Sequence, residues 1–556
     1  MFIDEEIANF ETINKEGTGT LWLNDATVTG AITDAFNHKE GTLHFGDNSL
    51  PGDYTQSPGA TLLVNVNKVG AQDLLTVGDA ADITDGILLL RTQGGEIWDS
   101  TYNEWHRWTE ENATAYGSQT IITAATSRTG EFVEVKAKEL LYTAGVDYSD
   151  PNQVNLNIGR ALTVNELQNK SSIAPTTNQT AIGSWLENGI NLNINRPLIS
   201  ALMNLSEEGA DAVKQAINTL SPEPISGSAV AGRINTTMQT ANVSQRLGIY
   251  HKTGGEAKMA GLASDYFSIM YANPAQKELS GSLWIKTSYL TSEADPDDKF
   301  KFDLDTHGVT IGADTPFENL ILGASGGYSK SNVEYNTVVS ESDIQTLNLN
   351  LYGSYKAKNY FIDTVLFYSN HSSDTEREIE VGTLKETAKS DYDANEYGVY
   401  LNFGYPFVLN NGWTITPNAS LQYSKYEQDA FTEKSALNAG LIVSGTDTDS
   451  IASGLGFSVE KVIAGSVWKI IPKLSVLWRH EFADIADTIE ANFVGYENDL
   501  GTFKIEGYDQ GADTFATQIG LTVYNGANTE LFLNYDLGVK EDFITNSVTA
   551  GLKFYF

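Results

Sequence analysis

The sequence predicts an all-β protein with a helical linker, whose C-terminal half closes into a 12-stranded antiparallel outer-membrane β-barrel. Three observations indicate this fold class. The last eleven residues alternate between apolar and polar or small side chains, earlier segments repeat that alternation, and the connections between the segments alternate in length. A period of two residues is typical of a strand with one apolar face.

The final strand candidate, Asn546–Phe556, shows the alternation most clearly. It is about long enough to cross a bilayer as a tilted strand, which takes roughly ten residues. An aromatic residue at the last position is typical of outer-membrane barrels. The apolar positions are Val548, Ala550, Leu552, Phe554 and Phe556, and the others are Ser547, Thr549, Gly551, Lys553 and Tyr555.

The same pattern gives twelve candidate strands, and an even number suits an antiparallel membrane barrel. They are 282–292, 305–316, 320–332, 344–356, 359–371, 393–408, 413–426, 449–463, 467–482, 513–525, 528–540 and 545–556.

Short and long connections alternate between these strands. The short ones are 318–319, 357–358, 410–412, 464–465 and 526–527, and the long ones are 293–304, 333–343, 372–392, 427–448 and 483–512. Only 541–544 is short where a long connection is expected. Short turns on one rim and long loops on the other are typical of the periplasmic and extracellular sides of a membrane barrel. A soluble twelve-stranded fold, the alternative, has no reason to alternate in this way.

Charge and composition exclude several classes of function. The 556 residues include 72 acidic and 35 basic side chains, and the net charge of −37 disfavours nucleic acid and anionic lipid as partners. The absence of cysteine excludes disulfides and cysteine-based metal sites. No apolar run predicts a transmembrane helix. The first residues lack the basic and apolar regions of a signal peptide, so we expect a piece of a longer exported protein.

Residues 17–165 are also rich in strand candidates, but with a different pattern. Short apolar runs are divided by Gly, Asp and Asn, as at 41–47, 60–66, 73–78 and 85–90. This spacing predicts a right-handed β-helix, in which each rung turns at a Gly or Asn and stacks on the next. An ordinary β-sandwich stays open as the alternative, because periodicity alone does not separate the two.

Several short motifs, taken in their order, resemble the autotransporter family of type Va secretion. Gly52-Asp-Tyr-Thr-Gln56, Ala60-Thr-Leu-Leu-Val-Asn-Val66 and Asp73-Leu-Leu-Thr-Val-Gly78 are similar to the C-terminal end of an autotransporter passenger. The third motif is one residue shorter than the family pattern. Trp478-Arg-His-Glu-Phe482 and Gly551-Leu-Lys-Phe-Tyr-Phe556 resemble two recurrent spots of the family's barrel.

The resemblance implies three parts. Residues 1–165 would hold the end of the passenger, with its β-helix and an autochaperone-like region, 166–275 the linker, and 276–556 the barrel. In the family a helix threads the barrel lumen before the first strand, and about 229–270 is the candidate here. Its polar side chains suit a lumen that can hydrogen-bond to them. The lumenal helix candidates are Asn235, Gln239, Asn242 and Arg246.

The resemblance also implies a role, that of a translocator and surface anchor in the bacterial outer membrane. It would display on the cell surface an uncleaved passenger, expected to be an adhesin. Phe554 and Phe556 would form the assembly signal, and Trp478, His480 and Phe482 the barrel motif. The implied partners are outer-membrane lipid, the barrel-assembly machinery, periplasmic chaperones and the chain's own passenger domain. No nucleic acid, cofactor, metal ion or enzymatic activity is expected.

Two other functions stay open. A channel or porin-like barrel with an extra N-terminal domain shares the strands but needs an open lumen. An autotransporter esterase would use Ser325 in Gly323-Ala-Ser-Gly-Gly327, which matches the G-x-S-x-G of serine hydrolases. That motif needs a strand–turn–helix context, whereas here it lies inside a strand candidate. We therefore expect its small residues to let the lumenal helix approach the barrel wall.

Overall fold

The structure, a computed structural model, describes residues 2–3, 11–23, 35–67, 70–71, 73–91, 96–99, 104–107, 118–138, 141–192, 194, 196–248, 281–317, 319–409, 412–465, 468–483, 486–524 and 529–556. The chain divides into two compact units. The N-terminal unit comprises Met1–Leu220 with two short segments, Ile379–Lys385 and Tyr496–Gly501. The C-terminal unit comprises Ser221–Glu378, Glu386–Gly495 and Thr502–Phe556.

Three sheets build most of the N-terminal unit, and successive strands of the chain pass from one sheet to the next. The first contains Phe2–Ile3, Thr20–Leu23, Thr42–His44, Thr61–Asn67, Ile87–Arg91 and Glu134–Ala137. The second contains Thr12–Lys15, Ala35–His38, Asp53–Gln56, Ala80–Asp82 and Ser127–Thr129. The third contains Asn48–Leu50, Leu75–Val77, Ser118–Ala124, Gln153–Arg160 and Tyr142–Asp147.

The pairing is parallel in the first two sheets and among the first three strands of the third. Such a coil of parallel rungs is a β-helix, so the sandwich alternative is wrong. Gln153–Arg160 and Tyr142–Asp147 pair antiparallel and end the coil. Beside it, Gly70–Ala71 pairs with Thr61–Asn67, and Glu96–Asp99 pairs with Glu104–Arg107 as a separate hairpin.

The β-helix core consists of apolar ladders, because equivalent positions of successive rungs stack. Leu43, Leu62 and Leu88 pair in register and are each almost fully buried. Each buried leucine contributes roughly 1.5–3 kcal/mol relative to exposure. The short runs noted in the sequence are therefore single strands of the coil, and their Gly, Asp and Asn separators lie at the corners between sheets. Two further ladders are Phe36, Tyr54 and Ala81, and Leu50, Val77 and Ala124.

Helices follow the β-helix. They are α1 (Val164–Gln168), α2 (Thr177–Asn191), α3 (Pro197–Leu205), a 3-10 turn (Ser206–Glu208), α4 (Ala210–Leu220) and α5 (Glu223–Leu247). Capping boxes begin α1 and α2: Thr163 pairs with Glu166, and Thr176 pairs with Gln179. Among the described residues, no helix combines the length and apolar character needed to cross a bilayer.

The C-terminal unit contains a closed antiparallel barrel, and the predicted number of twelve strands is confirmed. Consecutive strands are neighbours, and β1 pairs with β12 to close the barrel. The strands are β1 (Ser282–Ala294), β2 (Phe302–Phe317), β3 (Leu320–Tyr335), β4 (Ser340–Lys356), β5 (Phe361–Val381), β6 (Leu384–Gly404), β7 (Trp413–Gln428), β8 (Thr446–Lys461), β9 (Lys469–Glu481), β10 (Asp513–Tyr524), β11 (Thr529–Val539) and β12 (Phe543–Tyr555).

The side chains of each strand alternate between a lipid-facing and a lumenal surface. Leu347, Leu349 and Leu351 of β4 are more than half exposed, whereas Asn348 and Asn350 between them are buried. We call the rim with the connections after β1, β3, β5, β7, β9 and β11 the loop rim, and the opposite one the turn rim. Towards the loop rim, outward tyrosines form an interfacial girdle, each donating a hydrogen bond to a neighbouring strand. The pairs are Tyr289 with Asp305, Tyr328 with Gln345, Tyr368 with Asn395, Tyr397 with Glu427, Tyr423 with Asp449, and Tyr535 with Asn546.

Three predicted loops are wrong in part. The predicted loop 372–392 is strand almost throughout, because β5 and β6 extend until a turn at Gly382. The predicted loops 427–448 and 483–512 contain a four-stranded sheet. Charged side chains replace apolar ones on the outward face above the girdle, so an apolar stripe no longer marks the strands there. The sheet consists of Phe431–Thr432, Leu441–Val443, Thr488–Phe493 and Phe503–Glu506, and two further short strands are Phe407–Val408 and Ile463–Ala464.

Candidate functional site

The helix α5 lies inside the barrel and runs between its two rims. Its first residues are held at the loop rim, where the Glu223 carboxylate accepts a hydrogen bond from the backbone N–H of Phe300 at 3.0 Å. The hydroxyl of Tyr335 donates to the carbonyl of Pro224 at 2.8 Å. A carboxylate in the first turn also interacts favourably with the helix dipole. The chain therefore enters the helix at the loop rim.

The middle of α5 is bonded to hydroxyl groups of the wall. The Asn235 amide donates to Thr346 Oγ1 at 3.0 Å and accepts from Ser331 Oγ at 3.0 Å. Gln239 accepts a hydrogen bond from the Thr310 hydroxyl. These polar side chains are buried. A buried amide costs free energy unless it is hydrogen-bonded, and the wall supplies partners for the Asn235 amide and for Gln239 Oε1.

The last turns of α5 meet the turn rim through Asn242 and Arg246. Asn242 Nδ2 donates to Ser288 Oγ at 3.2 Å and to Thr310 Oγ1 at 3.0 Å. Arg246 forms an ion pair with Asp314 at 2.6 Å, and both side chains are fully buried. The Lys286 ammonium donates to the Asn242 carbonyl at 2.7 Å. Cations beside the C-terminal end of a helix complement its dipole, so these charges favour this orientation of the helix.

The structure thus places all four lumenal helix candidates between helix and wall. The helix itself differs from the prediction, because it begins at Glu223 rather than at Ala229. The part of the predicted stretch from 249 to 270 lies outside the described residues. Pro222 precedes the helix and Pro224 lies in its first turn, where proline is favoured. Glu223, Ser226 and Arg233 also contact residues of the loop rim, and the sequence did not predict these contacts.

Small wall residues make room for the helix. A Cβ atom added at Gly327 of β3 would overlap the side-chain amide of Gln239, and one at Gly308 of β2 would meet the Met238 methyl group at 2.7 Å. The expectation that Gly323–Gly327 lets the helix approach the wall is therefore confirmed at Gly327. Ser325 is buried inside β3 and accepts a hydrogen bond from Asn350 Nδ2 at 3.0 Å.

The helix lies off-centre. Its hydrogen bonds described above go to β1–β4, whereas a cavity of about 490 Å³ separates it from the opposite wall. That wall is lined by short hydroxyl side chains and by charged ones of both signs. Examples are Ser420, Ser424, Ser450, Ser475, Glu396, Lys473 and Arg479.

The connection after β9 reaches α5 from the loop rim. Asp487 forms an ion pair with Arg233 at 3.1 Å, and the backbone N–H of Tyr508 donates to Ser226 Oγ at 2.9 Å. The Tyr508 hydroxyl donates to the Phe300 carbonyl at 2.6 Å. The loop rim thus encloses the start of the helix on two sides. Within the described part of the chain, no group of acidic or histidine side chains has the arrangement of a metal site.

The predicted barrel motif lies on the outer face of β9. Trp478 Nε1 donates to Asp513 Oδ1 at 2.8 Å, and His480 Nδ1 lies 2.9 Å from the same oxygen. Phe482 follows the strand and is 64% exposed. Trp478 and His480 thus share one acceptor on β10, in the manner of the tyrosine girdle. The motif reads as part of an interfacial belt.

The predicted assembly signal lies at the seam of the barrel. Phe554 is paired with Leu283 of β1, and its ring faces outward. Phe556 follows β12, and its backbone N–H and carbonyl exchange hydrogen bonds with Gly281 at 3.2 and 3.3 Å. The last residue therefore extends the pairing that closes the barrel.

A family model matches residues 283–536, and its description is autotransporter β-domain. The barrel is an autotransporter β-domain. The match spans β1–β11, the strands that surround α5. An autotransporter β-domain is the translocator of a secretion system and lies in the outer membrane, and this is the coarse function of the barrel.

Curated relatives of the autotransporter β-domain include two outer-membrane proteins of Rickettsia. Outer membrane protein A of Rickettsia conorii is 23% identical over 262 residues, which are 45% of this chain and 13% of that protein. Outer membrane protein B of Rickettsia prowazekii is 27% identical over 239 residues, which are 41% of this chain and 14% of that protein. The matched part is thus only about an eighth of each relative's length.

Solved structures similar to the chain include two autotransporter domains. The β-domain of the Bordetella autotransporter BrkA is 18% identical, with a TM-score of 0.39, and the match covers 50% of this chain and 100% of that one. The translocator domain of NalP from Neisseria meningitidis is 14% identical, with a TM-score of 0.40, and the match covers 57% and 97%. Identities and TM-scores as low as these carry no argument about function.

Proposed function

We propose that this chain exports its own N-terminal β-helix through the outer membrane and keeps it anchored at the cell surface. The direction of α5 is the observation that carries the proposal. Glu223 lies at the loop rim and Arg246 at the turn rim, where β1 begins. Long loops face outward and tight turns face the periplasm in membrane barrels of this kind. The chain before Glu223 therefore leaves the barrel on the extracellular side.

The export step needs no catalytic group in this proposal. Stacking of the β-helix rungs outside the cell buries the leucine ladders, and this burial disfavours return of the chain. The partners that fit are outer-membrane lipid around the apolar face, periplasmic chaperones before insertion, and the barrel-assembly machinery that meets the terminal strand. The exported β-helix would be an uncleaved adhesin that remains part of the same polypeptide.

A surface-accessibility experiment tests export. The chain, placed behind a cleavable secretory signal and an N-terminal epitope tag, is expressed in a Gram-negative host and treated with external protease. We expect the tag to be accessible on intact cells while the barrel resists digestion. A variant that lacks β12 serves as the control and should leave the tag inaccessible. An inaccessible tag on a chain whose barrel is inserted and heat-modifiable would defeat the proposal.

Cleavage and adhesion are tested on the same cells. If the passenger is uncleaved, the tag and the barrel migrate as one polypeptide on a denaturing gel after boiling. Two fragments would contradict the uncleaved passenger. If the β-helix is an adhesin, tagged cells bind a host-cell layer, and cells whose chain lacks residues 1–160 do not. Equal binding by both would remove adhesion from the proposal and leave export untouched.

A second candidate function, passage of small solutes, is favoured by the cavity beside α5. A channel needs an open lumen, and about 490 Å³ remains on one side of the helix. Conductance of the purified barrel with and without α5 separates a plugged translocator from a channel. Similar conductance in both forms would support the channel, and a large rise on removing the helix supports the translocator.

A further inference from the structure

The N-terminal unit contains a cluster of short helices, α1–α4, which we call the helical cluster (Val164–Leu220). None of them is long enough to be stable alone in water. They share a small core with almost fully buried apolar side chains, and two capping boxes fix their starts. The core residues include Trp185, Leu186, Leu198, Leu202, Ile217 and Leu220.

Two short segments from the loop rim complete this cluster. Tyr496–Gly501 belongs to the connection after β9, and Ile379–Lys385 includes the turn after β5. Both fall in the same compact unit as the helices. We call them the two tips. The helices form hydrogen bonds and an ion pair with side chains and backbone groups of these two tips.

The first tip is bound by α2 and by the start of α3. Trp185 Nε1 donates to the Gly501 carbonyl at 2.7 Å, and its ring meets the Tyr496 ring edge-on at 5.2 Å between centroids. Arg196 pairs with Asp499 at 2.7 Å, and its guanidinium lies over the Tyr496 ring at 5.3 Å. An indole donor, an ion pair and a cation–π contact thus converge on six residues.

The second tip is bound through its backbone. Glu380 N donates to Thr219 Oγ1 at 3.1 Å, and the Thr219 hydroxyl lies 3.3 Å from the Glu380 carbonyl. Gly382 has a positive φ of 59° and faces Leu205, whose Cβ would lie 3.6 Å from an added Cβ. The turn that lets β5 pass directly into β6 is therefore also the turn that the cluster contacts.

We propose that the helical cluster is a docking module for the two tips, and that its docking prevents the exported chain from returning into the lumen. The inference rests on the proposed function. The helices can meet the tips only after residues 164–220 have passed the barrel, because the tips lie on the loop rim. A packed pair of helices is about 20 Å across. The lumen holds one helix and a cavity of about 490 Å³, so the folded cluster does not fit back into it.

A charge swap tests the docking on the full chain at the cell surface. We expect Arg196→Asp to raise amide hydrogen exchange in both 177–191 and 496–501 by roughly tenfold, because the carboxylate would face Asp499. The double variant Arg196→Asp with Asp499→Arg should restore protection. Lys504→Glu is the matched control, since Lys504 pairs with Glu490 at 3.0 Å in the same connection. Unchanged exchange in Arg196→Asp, or no recovery in the swap, would overturn the proposal.

Thiol cross-linking tests where the docking occurs. The chain has no cysteine, so Arg196→Cys with Asp499→Cys carries a unique pair. A membrane-impermeant bis-maleimide should join them on intact cells, because the two native side chains are in direct contact. If the N-terminal tag is accessible but the cross-link forms only after lysis, the docking proposal fails. If the tag never becomes accessible, the proposed function fails instead.

Discussion

At the scale of single residues, buried charges decide how the helix sits in the barrel. Arg246 and Asp314 form an ion pair in which neither side chain is exposed. Asp314 also accepts hydrogen bonds from Ser282 and from Tyr352 at 3.1 Å. Removing one partner of a buried pair leaves an uncompensated charge, which costs much more than the pair contributes while intact.

We therefore expect Arg246→Met to destabilise the barrel by about 3–5 kcal/mol. The measurement is the guanidinium midpoint of the heat-modifiable folded form in detergent. Arg246→Met combined with Asp314→Asn should recover part of the loss, because the orphaned charge is gone. Lys330→Met is the control: its pair with Asp343 is about half exposed and contributes little. Equal losses in Arg246→Met and Lys330→Met would contradict the prediction.

His38 makes the N-terminal unit sensitive to acid. Burial lowers the pKa of His38 to about 4, and its ring nitrogens contact the Gly41 carbonyl at 3.0 Å and Tyr54 Oη at 3.2 Å. Below pH 6.5 the unfolded chain binds a proton that the folded chain does not. Stability should therefore be complete above pH 6.5 and fall towards pH 4, by as much as about 3 kcal/mol.

The His38 prediction is checked by denaturant-dependent proteolysis of the N-terminal unit at several pH values. His38→Gln does not titrate in this range, so its stability should change less between pH 6.5 and 4 than that of the wild type. If the stability of His38→Gln falls with pH as steeply as that of the wild type, other groups cause the acid sensitivity.

At the scale of elements, α5 depends on glycines in the wall. We expect Gly327→Val to displace the helix, because the added atoms would overlap Gln239, and overpacking of this kind costs about 1–3 kcal/mol. Amides of 223–247 should then exchange faster. Gly326→Val is the matched control, since its nearest side-chain neighbour, Leu349 Cδ2, is 3.7 Å away. Equal exchange in the two variants would show that the helix tolerates the change.

The elements differ in how well the sequence predicts them. Each of the twelve barrel strands is found close to its predicted range, because lipid on one side and a polar lumen on the other impose a strict period of two. The extension of β5 and β6 was missed, because outside the membrane both faces carry polar residues such as Asp374 and Thr375. The start of α5 was missed because α5 is nearly uniform in polarity, so no apolar stripe marks where it begins.

The candidate site was only half predictable for a related reason. Asn235, Gln239, Asn242 and Arg246 are visible as polar residues in a helical stretch. The wall partners of the three amides are hydroxyl groups more than forty residues away, such as Ser288 for Asn242, and Arg246 pairs with the distant Asp314 carboxylate. Serine and threonine occupy lumenal positions on strands all around the barrel, so the sequence does not show which of them face the helix.

At the scale of the whole molecule, closure depends on the end of the chain. The backbone of Phe556 exchanges two hydrogen bonds with Gly281 beyond the last pair of β1 and β12. We expect deletion of Phe556 to lower the fraction of heat-modifiable barrel in outer membranes several-fold. Phe556→Leu should be milder, because it keeps both backbone hydrogen bonds. Normal assembly of the deletion variant would show that neither the aromatic ring nor the final pairing is needed.

The off-centre position of α5 has a consequence for hydration. A space of about 490 Å³ is far larger than the roughly 10–15 Å³ that a single water molecule needs. The lumen therefore has room for water along β6–β12, whereas the helix and the wall are in close contact along β1–β4. Exchanging a serine for an alanine should be almost neutral on the water-accessible side, at Ser475, and harmful on the packed side, at Ser331. The two sides of the same helix therefore lie in different environments, with room for water on one side and packed side chains on the other.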